Sequence, residues 1–253
     1  MGATVCRAVA AEPDLELVAA VDPHHAGIDV RQVTGADVKG VQVDGHADAM
    51  LDAGVQVAVD FTELSAARRN LRWCASHGVH AVVGTTVFKA GDLEELAQEF
   101  PAGGPANCFV APNFAIGAVL MMHFAAMAAP WFESAEFIEL HHDAKVDAPS
   151  GTAMLTAERM AAASDQWSAD PTLSEVVAGA RGGTGPAGIH IHSVRLRGLV
   201  AHQEVLLGTT GQSLIIRHDS YDRSSFMPGV VLAIKSVADR PGLTIGLDKL
   251  LGL

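Results

Sequence analysis

Along the first hundred residues, short apolar runs alternate with amphipathic stretches. Leu15–Val21 (LELVAAV), Val55–Asp60 (VQVAVD), Val79–Val83 (VHAVV) and Asn107–Val110 (NCFV) are compact and rich in β-branched side chains. Helical patterns separate them at Ala47–Ala53, Leu64–Ser76 and Gly91–Phe100. Runs that stay apolar instead of alternating are buried on both faces, as in a parallel sheet covered by helices. The pattern predicts a doubly wound α/β domain.

Beyond Asn113 the pattern changes. A long apolar helix comes first, then Ala135–His142 (AEFIELHH), then a helix from Ser150 to Ala163. A loop rich in Gly, Ser and Pro runs from Ser164 to Gly188. Three strand-like runs follow, Ile189–Leu196, Val200–Gly208 and Ser213–His218, with alternation visible in IHIHSVRL and SLIIRH. This predicts an α+β domain with an antiparallel or mixed sheet. A last apolar helix, Pro228–Val237, could return to the first domain and make it discontinuous. The expected division is 1–113 with 222–253, and 114–221.

The apolar stretch Phe114–Phe132, with His123 its single polar side chain, imitates a membrane span. Pro112 and Pro130 bracket it and leave fewer than the ~20 helical residues a bilayer requires. A buried core helix is expected, with His123 satisfied inside it. Of the 253 residues, 17 are basic and 29 acidic, a formal charge of −12. A field of that sign argues against nucleic acid and anionic membranes as partners. An anionic substrate would need local cations, and the five lysines are Lys39, Lys89, Lys145, Lys235 and Lys249. Cys6, Cys74 and Cys108 are few, odd in number and set in apolar segments, which predicts buried free thiols in a reducing cytoplasm. No signal peptide is expected, because MGATVCRAVAAEPDLE lacks a basic start followed by an apolar run.

Ligands of open parallel sheets bind beyond the carboxyl ends of the strands. The residues there are Asp22, Phe61-Thr62, Gly84-Thr85-Thr86 and Ala111-Pro112-Asn113-Phe114. An acidic residue after the second strand of a dinucleotide fold accepts from ribose hydroxyls, and Asp22 suits that role or, equally, a turn cap before Pro23. The densest chemistry is ELHHDAKVDAPSGTA, Glu139–Ala153. Ser150 can cap the next helix, leaving the amides of Gly151 and Thr152 as an anion site beside Lys145. A histidine titrating near ~6.5 can donate a proton there. The cluster suits a carboxylate-bearing substrate that must be protonated. It could instead be a strand end with solvated charges. A Ser-His-Asp triad from His141 and Ser150 would lack the G-x-S-x-G elbow. A metal at His190 and His192, or at His24-His25, would need a further ligand, and none is expected.

ELHHDAKVDAPSGTA resembles the signature of the bacterial dihydrodipicolinate reductases, the 4-hydroxy-tetrahydrodipicolinate reductases of the diaminopimelate–lysine pathway. DFT (60–62), VVGTT (82–86), APNFAIGAV (111–119) and GLVAHQEVLLGTTGQSLIIRHDSYDRSSFMPGV (198–230) extend the likeness over nearly the whole chain, in the style of actinobacterial members. The resemblance implies a Rossmann-like domain, an α+β substrate domain whose sheet assembles a homotetramer, and NADH or NADPH as cofactor. His141 then matches the general acid, and Lys145 the lysine that assists protonation and binds substrate. His142, Gly151 and Thr152 match groups that hold the substrate carboxylates. Asp22 matches the ribose-binding acid. Gly84, Thr85, Thr86, Ala111, Pro112, Asn113 and Phe114 match the nicotinamide-side contacts.

One departure is expected. Family members open with a strand and a G-x-x-G-x-x-G turn, of which only Gly2 has a counterpart here, as though the start codon were misassigned. A catalytically impaired cofactor-binding homologue is the alternative this raises. A related amino-acid dehydrogenase is a third reading, disfavoured by the His-His-x-x-Lys run.

Overall fold

The computed structural model describes residues 1–85 and 88–253. Thr86, a candidate cofactor contact, lies outside the described residues. The strands are β1 (Ala20–Val21), β2 (Val43–Asp44), β3 (Val57–Asp60), β4 (His80–Val83), β5 (Cys108–Val110), β6 (Ser134–His141), β7 (Gly183–Thr184), β8 (His190–Arg195), β9 (Ala201–Thr209), β10 (Gln212–Ser220) and β11 (Leu243–Ile245). The α-helices are α1 (Gly2–Ala11), α2 (Val30–Thr34), α3 (Ala49–Asp52), α4 (Leu64–His77), α5 (Ala90–Glu99), α6 (Ile116–Ala128), α7 (Gly151–Ala163), α8 (Met227–Ser236) and α9 (Asp248–Leu251). They form two compact units, Met1–Phe114 with Phe226–Leu253, and Ala115–Ser225.

In the first unit four parallel strands lie in the order β11-β5-β4-β3. A separate parallel pair joins β1 to β2. Leu71 and Cys74 of α4 pack with Leu96 of α5, Phe100 and the strand residues Ala81, Val83, Cys108 and Val110. Each large side chain so buried contributes about 1.5–3 kcal/mol. Helix α4 ends because Gly78 takes φ +72°, returning its N–H to the Cys74 carbonyl and turning the chain into β4.

Two expectations change here. Of the run Leu15–Val21 only Ala20 and Val21 pair, since β2 offers a ladder of just two residues. The chain's end carries a strand that its three residues, LTI, were too short to signal. Asn107 explains how that end is held. Its side-chain amide donates to the Val237 and Ala238 carbonyls (3.1 and 2.9 Å) and accepts from Gly242 N–H (2.9 Å), setting β11 against β5.

The second unit is built on a mixed five-stranded sheet, β10-β9-β6-β8-β7. The β6–β8 pair is parallel and the other pairs antiparallel. Phe137, Ile191, Val205 and Leu207 are buried. Gln203 of β9 donates to the Thr156 hydroxyl of α7 at 3.0 Å, tying that helix to the sheet.

Helix α6 departs from the buried core helix expected of it. Ala118, Val119, Met121, Met122 and Ala125 are buried, but Phe124 and Met127 are 48% and 61% exposed. His123 is half-buried, its ring edge-on to Phe124 at 6.0 Å, and is not enclosed in a core. An all-apolar sequence carries no periodicity to reveal which face turns outward. Among the described residues no helix is long and apolar enough to cross a membrane. Cys74 and Cys108 are buried and Cys6 only partly so. Burial pushes all three thiols up, Cys74 to about 12.

Candidate active site

Strand β6 delivers Glu139 and His141 two residues apart, on the same face of the sheet. The chain then turns through His142 to Ser150 and enters α7. The Ser150 side chain caps that helix by accepting from Ala153 N–H at 3.2 Å. Gly151 is exposed, and a Cβ placed on it would meet nothing within 4 Å, so the helix N-terminus presents an open approach. Lys145 is held on the turn by both oxygens of Asp147, at 2.7 and 2.8 Å. His142 is exposed beside it.

The His141 ring is fastened from behind. Its Nδ1 lies 2.5 Å from Oε2 of Glu139, a side chain with no exposed surface. Arg195, opposite His141 on β8, grips the same carboxylate with both ends of its fork, Nη1 to Oε2 at 2.9 Å and Nη2 to Oε1 at 2.8 Å. Its Nη2 also donates to the Asp147 carbonyl at 2.7 Å, joining the strand pair to the lysine-bearing turn. The Ser150 N–H donates to Oε1 at 3.2 Å.

Burial would push the Glu139 carboxyl up. The hydrogen bonds from Arg195, Ser193 and His141, with the His141 charge, outweigh it and hold Glu139 below the usual carboxylate range. Burial lowers His141, as do the charges of Lys145 and Arg195, against the opposing pull of Glu139. Lys145 holds Asp147 below its ordinary value.

In the first unit the carboxyl ends of β3, β4 and β5 converge. The Phe61 ring lies on Gly84 so closely that a Cβ there would overlap it, and it packs against Phe114 with ring centroids 5.6 Å apart. The Thr85 hydroxyl donates to the Thr62 carbonyl at 2.9 Å. The buried carboxylate of Asp60 accepts from Thr62 N–H and hydroxyl, at 2.8 and 2.7 Å, and from Asn70 at 2.7 Å. Ala111 N–H donates to the Val83 carbonyl at 3.1 Å, and Gly229 of α8 lies against the Phe114 carbonyl with no room for a side chain.

Asp22 stands apart from this group, on the β1–β2 pair. Its oxygens accept from His24 N–H at 2.9 Å and meet His25 Nδ1 at 2.8 Å. The His24 amide and then the His25 ring hold it below the usual carboxylate range. An ionised carboxylate keeps lone pairs for further donors. Acceptor oxygens at Asp22 are what the hydroxyls of a nucleotide ribose would require, and the Phe61 and Phe114 rings beside Gly84 would suit the flat face of a nicotinamide.

Of the expected site residues, the second unit gathers His141, Lys145 and the Ser150–Gly151–Thr152 helix start around one strand end. The first brings Gly84, Thr85 and Phe114 together through Phe61 and Thr62. Glu139 and Arg195 were missing from the expected site. The signal for Glu139 was a charge inside the apolar alternation FIELH, two residues from His141; for Arg195 it was the corresponding charge in IHIHSVRL.

Two family models cover the chain: "Dihydrodipicolinate reductase, N-terminus" over residues 1–114 and "Dihydrodipicolinate reductase, C-terminus" over residues 117–251. The 4-hydroxy-tetrahydrodipicolinate reductase of Cutibacterium acnes is 50% identical over 257 residues, covering 100% of this chain and 95% of that protein. The Nocardia farcinica protein of the same name is 48% identical, again over 100% and 95%. Among solved structures, the dipicolinate-bound dihydrodipicolinate reductase of Paenisporosarcina sp. TG-14 matches with a TM-score of 0.82 at 38% identity, over 97% of this chain and 93% of that one. GenD2 from gentamicin A biosynthesis, solved with NAD, shares the fold at a TM-score of 0.63 and 15% identity, over 99% of this chain and 87% of its own. Family model, full-length relatives and solved structure agree, and the chain belongs to the actinobacterial-type dihydrodipicolinate reductases, NAD(P)H-dependent oxidoreductases of lysine and diaminopimelate biosynthesis.

Proposed function

We propose that His141 is the general acid of this reductase and that Lys145 assists it and binds the substrate. His142, Gly151 and Thr152 hold the substrate carboxylates. The observation that supports this most is the His141 ring braced by Glu139 at the end of β6, with Lys145 and the open start of α7 on the turn that follows. The overall reaction reduces 4-hydroxy-tetrahydrodipicolinate to tetrahydrodipicolinate, consuming one NAD(P)H and one proton and releasing water. The reduced nicotinamide supplies the hydride. The chain's own part is to place a dicarboxylate and hold a proton near it. Lys145 and the helix amides provide local positive potential against the overall −12 charge. The comparisons lend nothing to the impaired alternative.

For the cofactor, Asp22 receives the ribose hydroxyls, and Gly84, Thr85, Ala111, Pro112, Asn113 and Phe114 line the nicotinamide side; Thr86, outside the described residues, is assigned to the same contacts by the family resemblance alone. The unit containing α1 to α5, α8 and α9 thus carries the dinucleotide, and Ala115–Ser225 carries substrate binding and assembly. A homotetramer built on the second unit's sheet is part of the proposal, supported by the exposed Leu214 and Ile215 of β10. So is a cytoplasmic location, supported by the biosynthetic role of the relatives.

The test is NAD(P)H consumption by the purified chain with substrate generated in situ. Turnover that disappears in His141→Ala, with the fold retained, is the expected result. Full turnover in that variant would overturn the assignment of the acid.

A further inference from the structure

A histidine that donates a proton must offer the right nitrogen in the right direction, and nothing in its own side chain decides which. Here the neighbourhood decides. Glu139 is fully buried, and Arg195 pairs with both of its oxygens. An ionised carboxylate can only accept, so Nδ1 of His141 at 2.5 Å must be the donor. Nε2 is then the free nitrogen.

We propose that Glu139, clamped by Arg195, is a positioning residue that locks the His141 ring with Nδ1–H on the carboxylate and Nε2 as the nitrogen that delivers the proton. The inference rests on His141 being the acid and adds which atom acts and what prepares it. In the step, the Nε2–H bond breaks, its electron pair stays on the imidazole, and the proton goes to the substrate atom bearing the electron pair left by reduction. Glu139 keeps its charge and Nδ1 its proton. A proton from solvent restores the imidazolium. The charged groups facing His141 are Glu139 on its own strand, Arg195 on β8 and Lys145 on the following turn; β9 brings only Ala201 opposite it.

The experiment is a pH series of kcat and KM for the full chain and for Glu139→Gln, Arg195→Lys and His141→Gln. It is joined by 15N chemical shifts of His141 in the unsubstituted protein at a pH where the ring is neutral. Glu139→Gln is expected to lower kcat by about 10- to 100-fold with KM for substrate within about twofold. The alkaline limb of its profile should move to lower pH, because the carboxylate that favours the imidazolium is gone. Arg195→Lys keeps a cation beside Glu139 and should keep the limb in place with a smaller loss of kcat. The neutral ring should carry its proton on Nδ1.

A neutral ring protonated on Nε2 overturns the proposal. So does Glu139→Gln with an unshifted limb, or with a loss confined to KM, while His141→Gln is inactive. His141→Gln turning over at the normal rate refutes instead the assignment of the acid on which the proposal rests. Should Glu139→Gln fail to fold, the 15N measurement still decides.

Discussion

Two of the molecule's carboxylate–histidine pairs, Asp22–His25 and Glu139–His141, put the same chemistry to different work. Asp22 and His25 are three residues apart, 44% and 46% exposed, and bonded at 2.8 Å. Glu139 and His141 are two residues apart, 0% and 16% exposed, and bonded at 2.5 Å. The first pair is a local turn that water can screen, and such pairs contribute about 0–1 kcal/mol. The second is possible only because Arg195, 56 residues away from Glu139, supplies the counter-charge. A buried carboxylate without it would take up a proton and lose its hold on the ring. Exposure leaves Asp22 available to a ligand, and burial commits Glu139 to its neighbours.

Substitutions can break this contrast. The largest expected effect is at His141: His141→Ala should lower kcat by about 10²–10⁴-fold, with thermal melts close to those of the parent, read by NAD(P)H consumption. Glu139→Ala should cost about 1–3 kcal/mol in denaturant unfolding, because it takes the carboxylate from the partly enclosed Arg195 fork. That loss should depend on pH. The folded Glu139 is held below its unfolded value, so its contribution is complete above the unfolded pKa of about 4.3 and fades as pH falls through the folded one. The gap between Glu139→Ala and the parent should therefore narrow in acid, and a gap constant down to strong acid would remove the ionised pair from the account.

Lys145→Ala should weaken dicarboxylate binding by roughly tenfold and nucleotide binding much less, by calorimetry with each ligand; equal losses would count against its assigned role. Asp22→Ala should raise the Kd for NAD(P)H by about tenfold with little change in stability, as expected for lost bonds to a charged acceptor. The smallest effect is expected for His25→Ala, within about 1 kcal/mol in both stability and cofactor affinity. A large stability loss there would erase the distinction between the two pairs.

Legibility followed the same division. Strands β3, β4 and β5 and helices α4, α5 and α7 could be read because each carries its own apolar pattern over several residues. The short β11 could not, since three residues hold no period and its position is decided by Asn107 and β5. The uniform apolarity of α6 suggested complete burial, whereas Phe124 and Met127 face outward. At the candidate site, His141, Lys145 and the Ser150 cap were visible because they fall within one contiguous run. The role of Glu139 was not, although its residue type sits in the same run, because that role depends on a partner on another strand.

The sequence alone determined what is local: the helix start at Ser150, the cation at Lys145 beside Asp147, the turn that caps Asp22, and the order of strand and helix that defines the α/β and mixed-sheet units. Those features depend on groups within a few residues, where backbone geometry leaves little choice. The tertiary structure decided what is shared between distant segments. It set the β6–β8 register that places Arg195 opposite His141, the Arg195 pairing that keeps the buried Glu139 ionised and so an acceptor, and the return of the chain's end to pair with β5. Those outcomes arise from burying charge and backbone together, where a group is tolerated only if a partner arrives from elsewhere in the chain.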